Sequence, residues 1–104
     1  MNGKRLPTYA LADIQGALRD GRYWMTRSAM EGASALYLDE SDIRECVLGL
    51  HDADFYKSMP SVRRRGLFQD VYRCRYGGFS IYTKLQRSAV GHAVIISFTR
   101  DESA

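Results

Sequence analysis

Four polar side chains in the second half of the chain, Gln69, Arg73, Tyr82 and Lys84, are of the types that cleave a phosphodiester, and their spacing brings them together. They flank Gly77-Gly78, a dipeptide suited to the positive φ angles of a two-residue type I′ turn, within a stretch whose apolar period is two. A hairpin closed there sets Tyr76 opposite Phe79, Cys74 opposite Ile81, Arg73 opposite Tyr82 and Val71 opposite Lys84. Directly paired residues share a face. One face then carries Phe68, Asp70, Tyr72, Cys74, Phe79, Ile81, Thr83 and Leu85, which suit packing; the other carries Gln69, Val71, Arg73, Arg75, Ser80, Tyr82, Lys84 and Gln86. A slip of one residue would bury Arg73, Arg75 and Lys84, so the hydrophobic pattern selects this register. The expected product is a polar, cationic patch on an open sheet surface, overhung by a turn carrying Tyr56 and Lys57.

Cleavage of RNA through its own 2′-hydroxyl requires a base for that hydroxyl, an acid for the leaving 5′-oxygen and donors for the charged phosphorus. Lysine, tyrosine and arginine supply all three without a metal or a histidine, arginine as a bidentate clamp. On residue types alone, an ordinary solvated strand face is the alternative. Other chemistries have less to stand on. His51 and His92 lack a paired acid or cysteine at metal-ligand spacing. Asp39, Glu40, Asp42 and Glu45 gather at an expected helix start, where they complement the helix dipole rather than hold Mg²⁺. No serine has a nucleophile-elbow context. Neither a cofactor nor a metal is expected. Cys46 and Cys74 lack a CxxC spacing, so neither a zinc knuckle nor a redox pair is expected, and both read as buried thiols in a reducing cytoplasm.

The charge distribution favours an anionic partner. Residues 1–54 hold six basic and nine acidic side chains, a net of −3, whereas residues 55–100 hold nine basic and one acidic, a net of +8. Twelve of the fifteen cations are arginine, whose planar fork matches phosphate oxygens. Arg63-Arg64-Arg65 is therefore either a solvated loop or, beside the patch, a hold on RNA phosphates, as are Arg73 and Arg75. The longest aliphatic run is Ala93-Val94-Ile95-Ile96, and no apolar segment follows Lys4 and Arg5, so neither a membrane span nor a secretion signal is expected. At 104 residues one domain, 1–104, accounts for the whole chain.

The elements that position the patch follow from periodicity. Leu11, Ile14 and Leu18 mark a first helix stopped by Gly21. Tyr23-Trp24-Met25 is β-prone; Thr26 or Ser28 caps a second helix, Ser28 to Glu31 having capping-box spacing. Asp39, Ser41 or Asp42 caps a third, with Ile43, Cys46, Val47 and Leu50 toward the core. Asp52 is expected to cap a short helical turn through Phe55, Tyr56, Lys57 and Met59, ended by Pro60. Strands then run from Leu67 to Tyr76, from Phe79 to Gln86 and from His92 to Thr99, the last and most apolar placed centrally. The fold class is α+β, with N-terminal helices packed on a C-terminal antiparallel sheet.

Five strings, Thr26-Arg27-Ser28-Ala29, Asp54-Phe55-Tyr56-Lys57-Ser58-Met59, Gln69-Asp70-Val71-Tyr72-Arg73, Tyr82-Thr83-Lys84 and Ile95-Ile96-Ser97-Phe98, resemble the motility quorum-sensing regulator toxins in order and spacing from Leu11 to Phe98. The resemblance implies a RelE-like ribonuclease fold and a ribosome-independent mRNA endonuclease cleaving at GCU-like sites. It also implies a partner, an MqsA-like antitoxin that contains zinc and binds DNA through a helix-turn-helix. Carried over by motif, the family's active-site lysine, glutamine and tyrosine fall on Lys57, Gln69 and Tyr82. Lys84 joins them from the surface geometry, and Lys57, Tyr82 and Lys84 are all candidates for the acid and the base. The family pattern leads to a lysine after the final Ser-Phe; here Thr99 stands there with Arg100 next, so either Arg100 substitutes as a cation from the neighbouring position or the activity is weakened. A non-catalytic RNA-binding or regulatory module using the same basic face is the competing function.

Overall fold

The computed structural model describes residues 6–102, so Lys4 and Arg5 lie outside the described residues. Leu11, Ile14, Ala17 and Leu18 form the buried stripe of α1 (Leu11–Arg19), after which Gly21, at φ 78°, turns the chain into β1 (Tyr23–Met25). α2 (Arg27–Ser34) begins at Thr26 rather than at Ser28: the Thr26 hydroxyl accepts the Ala29 N–H at 3.0 Å and donates to the Ile96 carbonyl at 2.7 Å. One side chain thus starts the helix and fastens it to a strand. α3 (Glu40–Leu48) opens on a capping box in which Asp39 accepts from the Asp42 N–H and Asp42 from the Asp39 N–H. The Gln15 amide donates to the carbonyls of Val47, Leu48 and Leu50, tying α1 to the end of α3.

The segment after α3 corrects the expected helical turn. A single 3₁₀ turn, Asp52–Asp54, gives way to strand β2 (Phe55–Pro60), antiparallel to β3 (Phe68–Tyr76). The Asp54 carboxylate accepts the His51 N–H at 2.8 Å and closes the turn after three residues. Phe55 then packs edge-on against Tyr72, with ring centres 5.6 Å apart, a contact available only in the extended form.

β3, β4 (Phe79–Arg87) and β5 (Ala93–Arg100) follow as antiparallel neighbours, with Arg73 opposite Tyr82, Cys74 opposite Ile81 and Val71 opposite Lys84, as the Gly77-Gly78 turn requires. The strand order is β1-β5-β4-β3-β2. β5 is interior, although β4 is the middle of the five. The sheet is mixed rather than wholly antiparallel, because β1 pairs parallel to β5 through Tyr23–Ala93, Trp24–Val94 and Met25–Ile95. Beyond that short pair α2 lies close against β5, so close that a Cβ at Gly32 would collide with the carbonyl oxygen of Phe98.

The helices cover one face of the sheet, and the core joins Ile14, Leu18, Ile43 and Val47 to Tyr72, Ile81, Leu85, Ile95 and Phe98. Two polar residues are fully buried on that face of β3 and β4. Asp70 accepts the backbone N–H groups of Thr8 and Tyr9 at 3.0 and 2.9 Å, which anchors the segment leading into α1. Thr83 donates to the Ser97 carbonyl at 2.8 Å. Cys46 is buried and Cys74 half-buried, both are free thiols, and their sulfurs stand 3.4 Å apart, a proximity that their sequence spacing does not announce. Among the described residues no helix is long and apolar enough to cross a membrane.

Candidate active site

The face turned away from the helices is organised by two bulges. Between β2 and β3, Phe55 opposes Tyr72 and Lys57 opposes Val71, leaving Tyr56 as the extra residue. Such a bulge turns two consecutive side chains to one side. Tyr56 and Lys57 therefore both lie on the open face, the Lys57 ammonium 5.3 Å from the centre of the Tyr56 ring. The second bulge lies between β4 and β5, where Lys84 opposes Ser97 and Leu85 opposes Ile95, with Ile96 extra. Two rows then cross the sheet: Lys57, Val71, Lys84 and Ser97 in one, Arg73, Tyr82 and Thr99 in the next. Lys57 and Lys84 are two strands apart, about 10 Å at the backbone, within joint reach of one phosphate through their long side chains.

Aromatic and ionic contacts hold the second row. The Arg73 guanidinium sits 4.4 Å from the Tyr56 ring centre, and the Tyr56 and Tyr82 rings meet edge to face at 6.4 Å and 69°. Arg73 also donates from Nε to the Asp101 carboxylate at 2.9 Å, and that carboxylate is 4% exposed. Arg73 is thus fixed in place, with its terminal amino groups outside the ion pair. The face is not a flat solvated surface: Val71 is fully buried in it, and Lys57, Gln69, Arg73, Tyr82 and Lys84 are half-buried.

Beside this ridge lies a cleft of about 800 Å³, within the range of small-ligand sites. Gln69, Lys84 and Gln86 line it from the sheet, Arg63 and Arg64 from the loop between β2 and β3, and Thr26, Arg27 and Ser28 from the start of α2. The Ser61 hydroxyl oxygen accepts the N–H groups of Arg63 and Arg64, both at 3.2 Å, shaping the loop while their side chains stay exposed. Lys84 belongs to both parts of the site, in the row with Lys57 and in the cleft wall. Among the described residues no group of three or more histidine, cysteine or acidic side chains is placed to hold a metal ion.

Residues 6–100 match the family described as motility quorum-sensing regulator, toxin of MqsA. The chain belongs to that family. A curated relative from Escherichia coli (strain K12), named mRNA interferase toxin MqsR, is 34% identical over 95 residues, which span 91% of this chain and 95% of the relative.

Against this family background, the residues expected at the site divide into three groups. Tyr56, Lys57, Arg73 and Tyr82 form the ridge, and Gln69, Lys84, Arg63 and Arg64 border the cleft. Arg65 is exposed in the loop but outside the cleft lining, and Arg75 is held at the hairpin tip by the Ser80 hydroxyl at 3.1 Å and the Gly78 carbonyl at 3.2 Å. Arg100 is a correction. It opposes Ile81, a core residue, while Thr99 opposes Tyr82, so Arg100 lies on the helix-side face and cannot stand in for a cation beside Tyr82. Arg27 was not among the expected site residues; its string carried the resemblance, but its place in the cleft depends on how α2 docks on β5.

Proposed function

We propose that this chain is the toxin of a toxin–antitoxin pair and an endoribonuclease that cuts ribosome-free mRNA at GCU-like sites. The observation that carries the reading is the pair of adjacent rows that gathers Lys57, Lys84 and Tyr82 at the rim of a cationic cleft. The name of the Escherichia coli relative and the family match support it. In this reading a nucleotide enters the cleft, Gln69 hydrogen-bonds it, and Arg27, Arg63 and Arg64 hold flanking phosphates. Lys57, Lys84 and Tyr82 supply the base that takes the 2′-hydroxyl proton and the acid that protonates the leaving 5′-oxygen. The Arg73 amino groups left outside its ion pair donate to the phosphorus oxygens as negative charge builds.

The reaction proposed is metal-independent, because lysine and tyrosine side chains supply the base and the acid and arginine supplies the charge stabilisation. Two lysines and four arginines around the site repel a divalent ion, and Asp101, the carboxylate near the ridge among the described residues, is bound to Arg73. The partner proposed is an MqsA-like antitoxin containing zinc and a helix-turn-helix, acting with the toxin in the cytoplasm on a RelE-like fold. The test compares cleavage and binding of one RNA in EDTA. Wild type should cleave at full rate, and Lys57→Ala should lose on the order of 10² to 10⁴ in rate while binding within a few-fold of wild type. Equal losses in binding and cleavage would make Lys57 a binding residue rather than a proton-transfer group, and binding by wild type without any cleavage would instead favour the non-catalytic RNA-binding module.

A further inference from the structure

Cys46 on the core side of α3 and Cys74 on the helix side of β3 are free thiols whose sulfurs are 3.4 Å apart, although 28 residues separate them in sequence. Both sit on regular elements, and α3 is tied to the same end of β3 by the Tyr76 hydroxyl, which lies 2.9 Å from an Asp42 carboxylate oxygen and 2.7 Å from one of Glu45. We propose that Cys46 and Cys74 form a reversible dithiol–disulfide site oxidised by peroxides, with Cys74 as the attacking sulfur and Cys46 as the resolving one. A disulfide needs sulfurs about 2.05 Å apart, so the pair must close by only about 1.4 Å.

The roles follow from access and from the bond between the thiols. Cys74 is half-buried, whereas Cys46 is 4% exposed. Hydrogen bonding from Cys46 holds the Cys74 thiol below its ordinary pKa; the same bond, then burial, pushes Cys46 up. The Cys74 thiolate attacks one peroxide oxygen, the O–O bond breaks, and hydroxide leaves, giving a sulfenic acid. The Cys46 sulfur then attacks the Cys74 sulfur, the S–O bond breaks, and the Cys46 proton and the expelled hydroxide form water. In sum, two thiols lose two electrons and two protons, and one peroxide becomes two waters. No other cysteine competes, because the chain has two. The site is independent of the RNA reading: Arg73 and Arg75, on either side of Cys74, point to the opposite face.

The full-length protein treated with hydrogen peroxide and then with N-ethylmaleimide tests the site by intact mass. The expected product is a monomer about 2 Da lighter that takes up no maleimide and is restored by dithiothreitol. Its Tm should rise by roughly 5 °C or more, because the bridge closes a long loop. A disulfide-linked dimer, or a monomer that gains oxygen and keeps one alkylatable thiol, as the main product would overturn the proposal. Cys46→Ser should stop at a Cys74 sulfenic acid captured by dimedone, and in Cys74→Ser the Cys46 thiol should stay reduced at the same dose. Oxidation of Cys46 in Cys74→Ser as fast as Cys74 in Cys46→Ser would overturn the assignment of roles.

Discussion

On the helix side of the sheet Asp70 and Thr83 are fully buried and each has a specific partner, whereas on the open side Lys57, Lys84, Arg63 and Arg64 have no carboxylate within ion-pairing distance among the described residues. The same strands supply both faces. Burial without a partner costs more than most folds can carry, so polar groups on the covered face are few and satisfied. On the half-open face water screens the excess charge, and unpaired cations remain available for a polyanion. Stability is concentrated on one side and binding capacity on the other, with Arg73–Asp101 the one strong ion pair among the described residues that crosses into the working face.

Two substitutions on adjacent strands set the faces against each other. Tyr82→Phe, on the open face, should lower the cleavage rate by on the order of 10² or more with little change in Tm. Asp70→Ala, on the covered face, strands the N–H groups of Thr8 and Tyr9, and should cost roughly 2–4 kcal/mol, about 10 °C or more in Tm. The molecules that remain folded should cleave at a rate within a few-fold of wild type. Thermal melts beside single-turnover rates check both, and a Tyr82→Phe protein that melts early while cleaving normally would erase the distinction.

A smaller effect is expected at the loop. Removing Arg63, Arg64 and Arg65 together should make the log–log salt dependence of single-strand binding shallower by about 1.4, at about 0.7 for each of the phosphate contacts of Arg63 and Arg64. A slope unchanged from wild type would make the run a solvated charge cluster. The smallest effect tests the covered face at its one flaw. The Tyr72 hydroxyl is buried with no hydrogen-bond partner among the described residues, so Tyr72→Phe should raise stability by about 1 kcal/mol. Burial, then the charges of Asp70, Asp52 and Asp54, pushes the Tyr72 pKa up from 10.0 to about 12. The unfolded chain therefore ionises first, and this residue's share of stability is present below pH 10 and lost as pH climbs toward 12. Denaturant melts across that window should show less alkaline loss in Tyr72→Phe than in wild type.

Much of this division is legible in the residues. The register about Gly77-Gly78 follows from turn chemistry and alternation, and it places Gln69, Arg73, Tyr82 and Lys84 on one face before any coordinate is known. β2 is harder to see because its bulge at Tyr56 breaks the period of two, so that Phe55-Tyr56-Lys57 looks no more like a strand than like a turn. The parallel pairing of β1 with β5 and the approach of α2 to Phe98 leave no local mark, and the place of Arg27 depends on both. The face of Arg100 is hidden in the sequence for the opposite reason. Its parity relative to Thr99 is plain in the sequence, but the β4–β5 register that gives parity a face is not. The two cysteines show the same limit, because a contact between α3 and β3 has no sequence spacing to announce it.

The central claim is that the open face cuts RNA through the substrate's own 2′-hydroxyl. An RNA carrying a single 2′-deoxy substitution at the scissile nucleotide tests it most directly, with the unmodified strand cleaved beside it in EDTA. Cleavage at the substituted position should fall below detection while binding stays within a few-fold, and the unmodified strand should yield a 2′,3′-cyclic phosphate. Cleavage of the deoxy strand at the normal rate and position would contradict the account.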